Sequence, residues 1–247
     1  MIFFRLRDSW IKKKIERFNL WFLSFCDNII RKFNIRRENM VNLTIKEFLG
    51  ELSTDAPVPG GGGASALAGA ICSALCSMVA SLTTGKKKYA QYQQDIERIL
   101  KETTELTQTM EQLIQKDADA FEPLSRAYGI PKEDPEREKI LEEALRTACS
   151  APMDILREAC KIIPILEELT VKGSRLAVSD VGVSAAACAA AIKGAALNVY
   201  INTKLMKDRA YAEKMNAETR LLCSKNLPRC EKVYNTVEEY LMGGTRK

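Results

Sequence analysis

The sequence predicts an all-α fold, a helical bundle with two small-residue-rich central helices. Three observations carry this. From Thr44 onward, apolar residues recur at steps of three and four. No four-residue stretch alternates apolar and polar with turn signals on both sides. Two long stretches, Ala64 to Thr84 and Asp180 to Met206, consist mainly of Ala, Ser, Gly, Cys and a few larger apolar residues, a composition suited to helices packed closely on their neighbours.

The elements follow in order. Thr44 with Glu47 three residues later forms a capping box, so a short helix runs to about Ser53. The segment "APVPGGGGAS" stiffens the chain at Pro57 and Pro59 and relaxes it at Gly60 to Gly63. It leads into the first small-residue helix, whose expected core positions are Leu67, Ile71, Leu75, Met78, Val79 and Leu82. About twenty uncharged residues also meet the length of a membrane span, but small and hydroxyl residues dominate, and a buried central helix is expected. Residues 90–124 form an amphipathic helix with the stripe Ile96, Ile99, Thr103, Leu106, Met110, Leu113, Asp117, Phe121 and Leu124. The turn "YGIPKEDPE" follows, then a helix from about Glu136 to Glu168 kinked near Pro152 and Pro164. After Gly173 come the second small-residue helix and a last one, Arg209 to Tyr240.

Composition narrows the chemistry. The 247 residues include no histidine, which excludes a Ser-His-Asp triad, a Cys-His pair and an HExxH zinc site. Acid–base work falls to Asp, Glu, Lys, Tyr or Cys. The eight cysteines (Cys26, Cys72, Cys76, Cys149, Cys160, Cys188, Cys223 and Cys230) contain no C-x-x-C. They read as small buried hydrophobes in a reducing, cytoplasmic setting rather than as a disulfide framework or a zinc site.

Residues 1–40 differ from the rest. They hold ten basic and four acidic residues, both tryptophans and six of the eight phenylalanines. The remaining chain, residues 41–247, holds 27 basic and 28 acidic residues, so the body carries no nucleic-acid footprint. Residues 1–40 read as an extension upstream of a true start at Met40, as a basic amphipathic helix able to lie on a membrane, or as a helix docked on the body. The body, 41–247, reads as one helical domain.

Three constellations could carry chemistry. Asp117 lies in the apolar stripe of its helix, one turn from Leu113 and from Phe121. Desolvation there raises a carboxyl pKa toward neutrality, as a proton shuttle requires; the alternative is a buried carboxylate that pairs with Arg or caps a neighbouring helix. Asp119 points elsewhere. The run Gly60, Gly61, Gly62, Gly63 precedes a helix, where N–H groups and the helix dipole favour anions or carbonyl oxygens; the alternative is a flexible turn. In the second small-residue helix, Asp180 is placed to N-cap, and Asn198 and Asn202 share a face, able to bond a heterocycle's edge or a facing helix. Lys86, Lys87 and Lys88 form a basic cluster suited to carboxylates or to a solvated helix end.

The blocks "LTIKEFLGEL", "APVPGGGGASALAGAICSALCSMVASLTTGKKKY", "DADAFEPLSRAYGIP" and "SDVGVSAAACAAAIKGAALNVYIN" resemble, in this order, the formiminotetrahydrofolate cyclodeaminase / methenyltetrahydrofolate cyclohydrolase family. The resemblance covers about residues 42–240 and leaves residues 1–40 without a counterpart. It implies an all-helical, homodimeric enzyme that binds a folate, with or without a polyglutamate tail, in a cleft. It implies neither a metal nor a nicotinamide cofactor. It places Gly60–Gly63 with Ser65, Asp117, Asp119 and Asp180 in the family's characteristic blocks. Where many members have DxGVGA, this chain has "DVGVSA", with Ser184 in place of glycine. The expected reaction is hydrolysis of 5,10-methenyltetrahydrofolate to 10-formyltetrahydrofolate. The rivals are cyclodeamination of 5-formiminotetrahydrofolate and, in another class, a non-catalytic membrane-associated module.

Overall fold

The computed structural model describes residues 40–244. The expectations for residues 1–39 lie outside the described residues. The chain divides into two compact units, Met1–Thr44 and Ile45–Lys247; only the second is described below. It consists of six α-helices: α1 (Ile45–Leu52), α2 (Gly61–Ser81), α3 (Gln93–Tyr128), α4 (Arg137–Lys172), α5 (Val178–Leu205) and α6 (Arg209–Leu241). There is no strand among the described residues, so the all-α expectation holds.

α4 is the hub and packs on α2, α3, α5 and α6, while α2 lies between α3 and α5. Cross-helix contacts fix the directions. Ser73 Oγ donates to the Thr103 carbonyl at 2.8 Å, while Gly69 faces Met110 and Gly62 faces Asp117, so α2 and α3 are antiparallel. Ser184 Oγ donates to the Cys72 carbonyl at 2.8 Å, which pairs α2 with α5. The interior holds Ile96, Ile99, Ile155, Leu156, Ile162, Ile163, Leu166 and Leu169, all with at most 1% exposure. Each such side chain contributes about 1.5–3 kcal/mol by leaving water. A second cluster, with Leu124, Leu145, Ala148, Met153, Val199 and Met206, has Phe121 packed against it.

Three expectations are corrected. First, α2 begins at Gly61, so three of the four glycines form its first turn rather than a loop. Second, Asp180 is not an N-cap: α5 starts at Val178, preceded by Ala177, and no side chain caps it. Asp208 does cap α6, accepting from the Tyr211 N–H at 3.0 Å. Third, only part of the expected core of the first small-residue helix is buried. Val79 faces inward as expected and Leu67 and Leu75 are half-buried, but Ile71, Met78 and Leu82 are 48%, 39% and 44% exposed, and the small residues Ala66, Cys72, Cys76 and Ala80 take the inner face. The inner face is small because the neighbouring helices come close: a Cβ on Gly69 would meet the Met110 sulfur at 2.8 Å. α2 and the segment Arg175–Leu205 are each long and apolar enough to cross a membrane, and about half of each is buried within this protein.

The Ser184 departure also finds its place. It sits in mid-helix, fully buried, with its hydroxyl 3.2 Å from each of the Cys72 and Cys76 thiols. Its polar atom is satisfied, so burying it costs little.

Candidate functional site

Four helices meet at one end of the bundle around a cavity of about 200 Å³. Pro57, Val58, Gly60, Gly61 and Gly62 form one wall, Asp117 and Phe121 of α3 another. Ala148 and Pro152 of α4 and Asn198, Ile201 and Asn202 of α5 complete it. Among the described residues, no Lys or Arg belongs to the lining.

Among the described residues, Asp117 is the charged group that lines this cavity. Burial pushes its pKa up from 3.8 to about 6, against the opposing effect of a hydrogen bond from the Gly63 N–H. No cation offsets the desolvation, so the carboxyl changes protonation state near neutral pH. The Gly63 donor is one of the orphan N–H groups of the α2 first turn. Asp117 therefore caps α2 from a neighbouring helix while facing the cavity. Glycine is required beneath it: a Cβ on Gly62 would overlap all three atoms of the carboxyl group. A Cβ on Gly61 would come within 3.0 Å of the Asn198 amide.

The two asparagines differ in role. Asn198 Nδ2 donates to the Gly194 carbonyl at 2.9 Å, and the side chain remains at the cavity wall. Asn202 Nδ2 donates to the Asn198 carbonyl at 2.9 Å and to the Ala148 carbonyl at 3.2 Å. Ala148 lies four residues before Pro152, whose ring nitrogen has no hydrogen to give. The Asn202 amide supplies the helix bond that Pro152 cannot. Ser65 is buried and donates to the Gly61 carbonyl at 2.6 Å, which ties down the first turn.

The remaining candidates lie elsewhere. Asp119 is exposed and accepts from Gln115 Nε2 at 2.7 Å. Lys86, Lys87 and Lys88 are exposed beyond the far end of α2, about 30 Å from Gly61 along the helix. Asp180 sits at that same far end, in the first turn of α5. The chain thus gathers Gly60–Gly62, Asp117, Asn198 and Asn202, and leaves Asp119, Asp180 and the lysines outside. Phe121, Ile201, Pro57, Val58 and Pro152 are lining residues that sequence reasoning did not single out. Phe121, one turn from Asp117 on the same stripe, was the readable one. A groove between α3 and α4 of about 370 Å³ is lined instead by paired charges such as Lys116 and Asp154, 2.6 Å apart.

Comparison with known proteins places this arrangement. Over 201 residues the chain is 39% identical to a methenyltetrahydrofolate cyclohydrolase of Methylorubrum extorquens, covering 80% of this chain and 97% of that protein. It is 30% identical over 181 residues to the formimidoyltransferase-cyclodeaminase of Rattus norvegicus, covering 72% of this chain but 34% of that longer protein. The crystal structure of formiminotetrahydrofolate cyclodeaminase from Thermotoga maritima matches with a TM-score of 0.69 and 31% identity, covering 79% of this chain and 98% of that one. Residues 44–221 match the family model described as formiminotransferase-cyclodeaminase, and they include every residue of the cavity, so the chain belongs to the formiminotransferase-cyclodeaminase family.

Proposed function

We propose that this protein is a folate one-carbon enzyme that hydrolyses 5,10-methenyltetrahydrofolate to 10-formyltetrahydrofolate, with Asp117 as its proton shuttle. The observation that carries the reading is a desolvated, cation-free carboxyl group poised near pH 6, in a chain matching 97% of a cyclohydrolase's length. The substrate is a cation whose charge is concentrated on the carbon between N5 and N10. An ionised Asp117 offsets that charge and accepts a proton as water adds to the carbon. That proton passes to N5 as the C–N5 bond breaks, and the hydroxyl of the tetrahedral adduct gives its proton to solvent as the formyl C=O forms on N10, so that one proton is released overall. The orphan N–H groups of Gly61 and Gly62 and the Asn198 amide meet the polar edge of the pterin, and Phe121 covers a ring face. The substrate brings its own electrophile, so the reading invokes no resident cofactor.

Cyclodeamination is the second reading, favoured by the Thermotoga maritima match. There N10 attacks the formimino carbon and ammonia departs with the shuttled proton. Both readings take the enzyme as cytoplasmic and homodimeric. The seven described cysteines are all free thiols, in keeping with a reducing compartment, and the outward apolar stripe of α2 suits a subunit contact. The test is spectrophotometric. Enzyme-dependent loss of methenyltetrahydrofolate absorbance is the expected result. Its appearance from 5-formiminotetrahydrofolate with ammonia release would select the second reading, and absence of both from folded protein would overturn both.

A further inference from the structure

The cavity of about 200 Å³ is smaller than the roughly 300–1,000 Å³ that encloses a drug-sized ligand, so it takes the pterin head of a folate rather than the whole molecule. It offers that head a short row of polar groups. The N–H groups of Gly61 and Gly62 lie in the first turn of α2, where no intrahelical acceptor reaches them. The Asn198 amide stands beside them: a Cβ on Gly61 would come within 3.0 Å of Nδ2 and 3.3 Å of Oδ1.

The amide is held one way round. Nδ2 donates to the Gly194 carbonyl at 2.9 Å. The opposite flip would set Oδ1 against that carbonyl, acceptor against acceptor. Oδ1 accepts no hydrogen bond from any described residue, so it is left as an acceptor for a ligand. The setting is rigid. Ser65 Oγ donates to the Gly61 carbonyl at 2.6 Å, and it fills the space that a Cβ on Gly194 would need. Gly61, Ser65, Gly194 and Asn198 thus close a ring of contacts between α2 and α5. Two donors and one fixed acceptor result.

Pterin chemistry decides which edge meets them. C4=O and N3–H place an acceptor next to a donor, the complement of this row. O4 is also the immediate neighbour of N5 across the ring fusion. Gly62 packs directly against Asp117, since a Cβ there would overlap the carboxyl group. An O4 held by the Gly61 and Gly62 N–H groups therefore brings N5, the atom that receives the proton, alongside Asp117. The opposite edge, with N1 and N8–H, would carry N5 away from it.

We infer that the Gly61 and Gly62 N–H groups donate to the pterin O4 and that Asn198 Oδ1 accepts from N3–H, which makes Asn198 the residue that restricts the site to 4-oxo pteridines. This assignment rests on the folate reading above, in either of its reactions. A 2,4-diaminopteridine reverses both contacts. Its 4-amino group turns a donor toward the glycine N–H groups, and its N3 turns a lone pair toward Oδ1. Asn198 does not adapt by flipping, because the Gly194 carbonyl holds Nδ2. A site built on hydrogen bonds rejects a ligand that leaves them unmade far more strongly than an apolar pocket rejects a change of size.

The test uses the full chain and two substrates identical except at C4, 5,10-methenyltetrahydrofolate and its 4-amino-4-deoxy counterpart, or the matching 5-formimino pair if the enzyme proves to be a cyclodeaminase. Each kcat/KM is divided by the uncatalysed rate, which removes differences in intrinsic reactivity. The wild-type protein should favour the 4-oxo substrate by more than about thirtyfold. A smaller preference would overturn the inference and leave the folate reading intact, whereas no activity on the 4-oxo compound would overturn both. Asn198→Leu removes the acceptor at similar side-chain volume. Its preference should shrink at least about fivefold, because the 4-oxo substrate loses a bond and the 4-amino compound loses a repulsion. A purely structural role would slow both substrates alike, and that unchanged ratio would remove Asn198 from the recognition. A third substrate, methylated at N3, keeps O4 but has no hydrogen for Asn198. The wild-type protein should disfavour it by at least about fivefold; full activity on it would overturn the Asn198 contact even if Asn198→Leu fails to fold.

Discussion

The Asp117 carboxyl group occupies the space that a side chain on Gly62 would need. Two residues 55 positions apart therefore share one volume. The position of the titrating group depends on the absence of an atom as well as on the Gly63 N–H that bonds to it.

Gly62→Ala should consequently imitate loss of Asp117. The added methyl drives the carboxyl out of its seat, and a reduction in kcat of about 10²–10⁴ is expected, the usual contribution of a positioned acid–base group. Gly63→Ala is the control. Its Cβ would meet Pro59 Cβ at 3.6 Å and Ile114 Cγ2 at 3.8 Å, ordinary contacts, and it should stabilise the helix by about 0.5–1 kcal/mol with turnover retained. Equal activities for the two variants would sink the seating argument.

The pH dependence of kcat/KM reports the free enzyme. It should rise about tenfold per pH unit below the Asp117 pKa of about 6 and level off above it, after subtraction of the uncatalysed rate. In the complex the cationic substrate favours the carboxylate, so the corresponding limb in kcat should lie at lower pH. Asp117→Asn should be slow and lack both limbs. A wild-type profile with no break between pH 4 and 7 would remove Asp117 from the proton path.

Stability should depend on pH in the opposite sense to activity. The folded protein retains a proton on Asp117 between the unfolded value near 4 and about 6. Its stabilisation is therefore fully present below about 4 and lost as pH rises through about 6. Ionisation costs on the order of 3 kcal/mol at neutral pH. Thermal melts of wild type and Asp117→Asn should converge at acid pH, with the variant the more stable above pH 7. A variant that melts lower at pH 8 would contradict this.

Asn202 and Pro152 should be energetically coupled. Asn202→Ala leaves the buried Ala148 carbonyl without a donor and should cost about 1–3 kcal/mol. In a Pro152→Ala background the helix supplies its own N–H, and the cost of Asn202→Ala should shrink by a measurable coupling energy in denaturant titrations. Additive costs would show that the amide does not substitute for the missing bond.

Most of the helices and the key carboxylate were legible in the sequence because α3 has contrast. Its apolar stripe holds, from Ile96 to Leu124, and Asp117 stands out within it. α2 offers no such contrast. A helix without charges gives no polar face to read, and of the large residues taken as core only Val79 is fully buried, while Ile71, Met78 and Leu82 are exposed. The glycine run illustrates a second limit. Its propensity argues for a loop, yet three of the glycines are helical because Asp117 supplies an acceptor at the helix start. Asp180 and Lys86–Lys88 read as parts of one site because they belong to characteristic blocks, but the length of α2 carries them to the opposite end of the helical bundle.

The small-residue packing of α2 has a consequence for which mutations this fold tolerates. In an ordinary helical core the bulky residues are the ones that cannot be lost. Here Ala66, Cys72 and Ala80 are at 0% exposure, and Gly69 and Gly182 stand directly against Met110 and Val237, so the damaging changes are those that add a methyl group. Trimming Ile71 or Leu197 leaves the isolated subunit nearly untouched. A map of sequence tolerance should therefore look inside-out, with the smallest side chains the least replaceable.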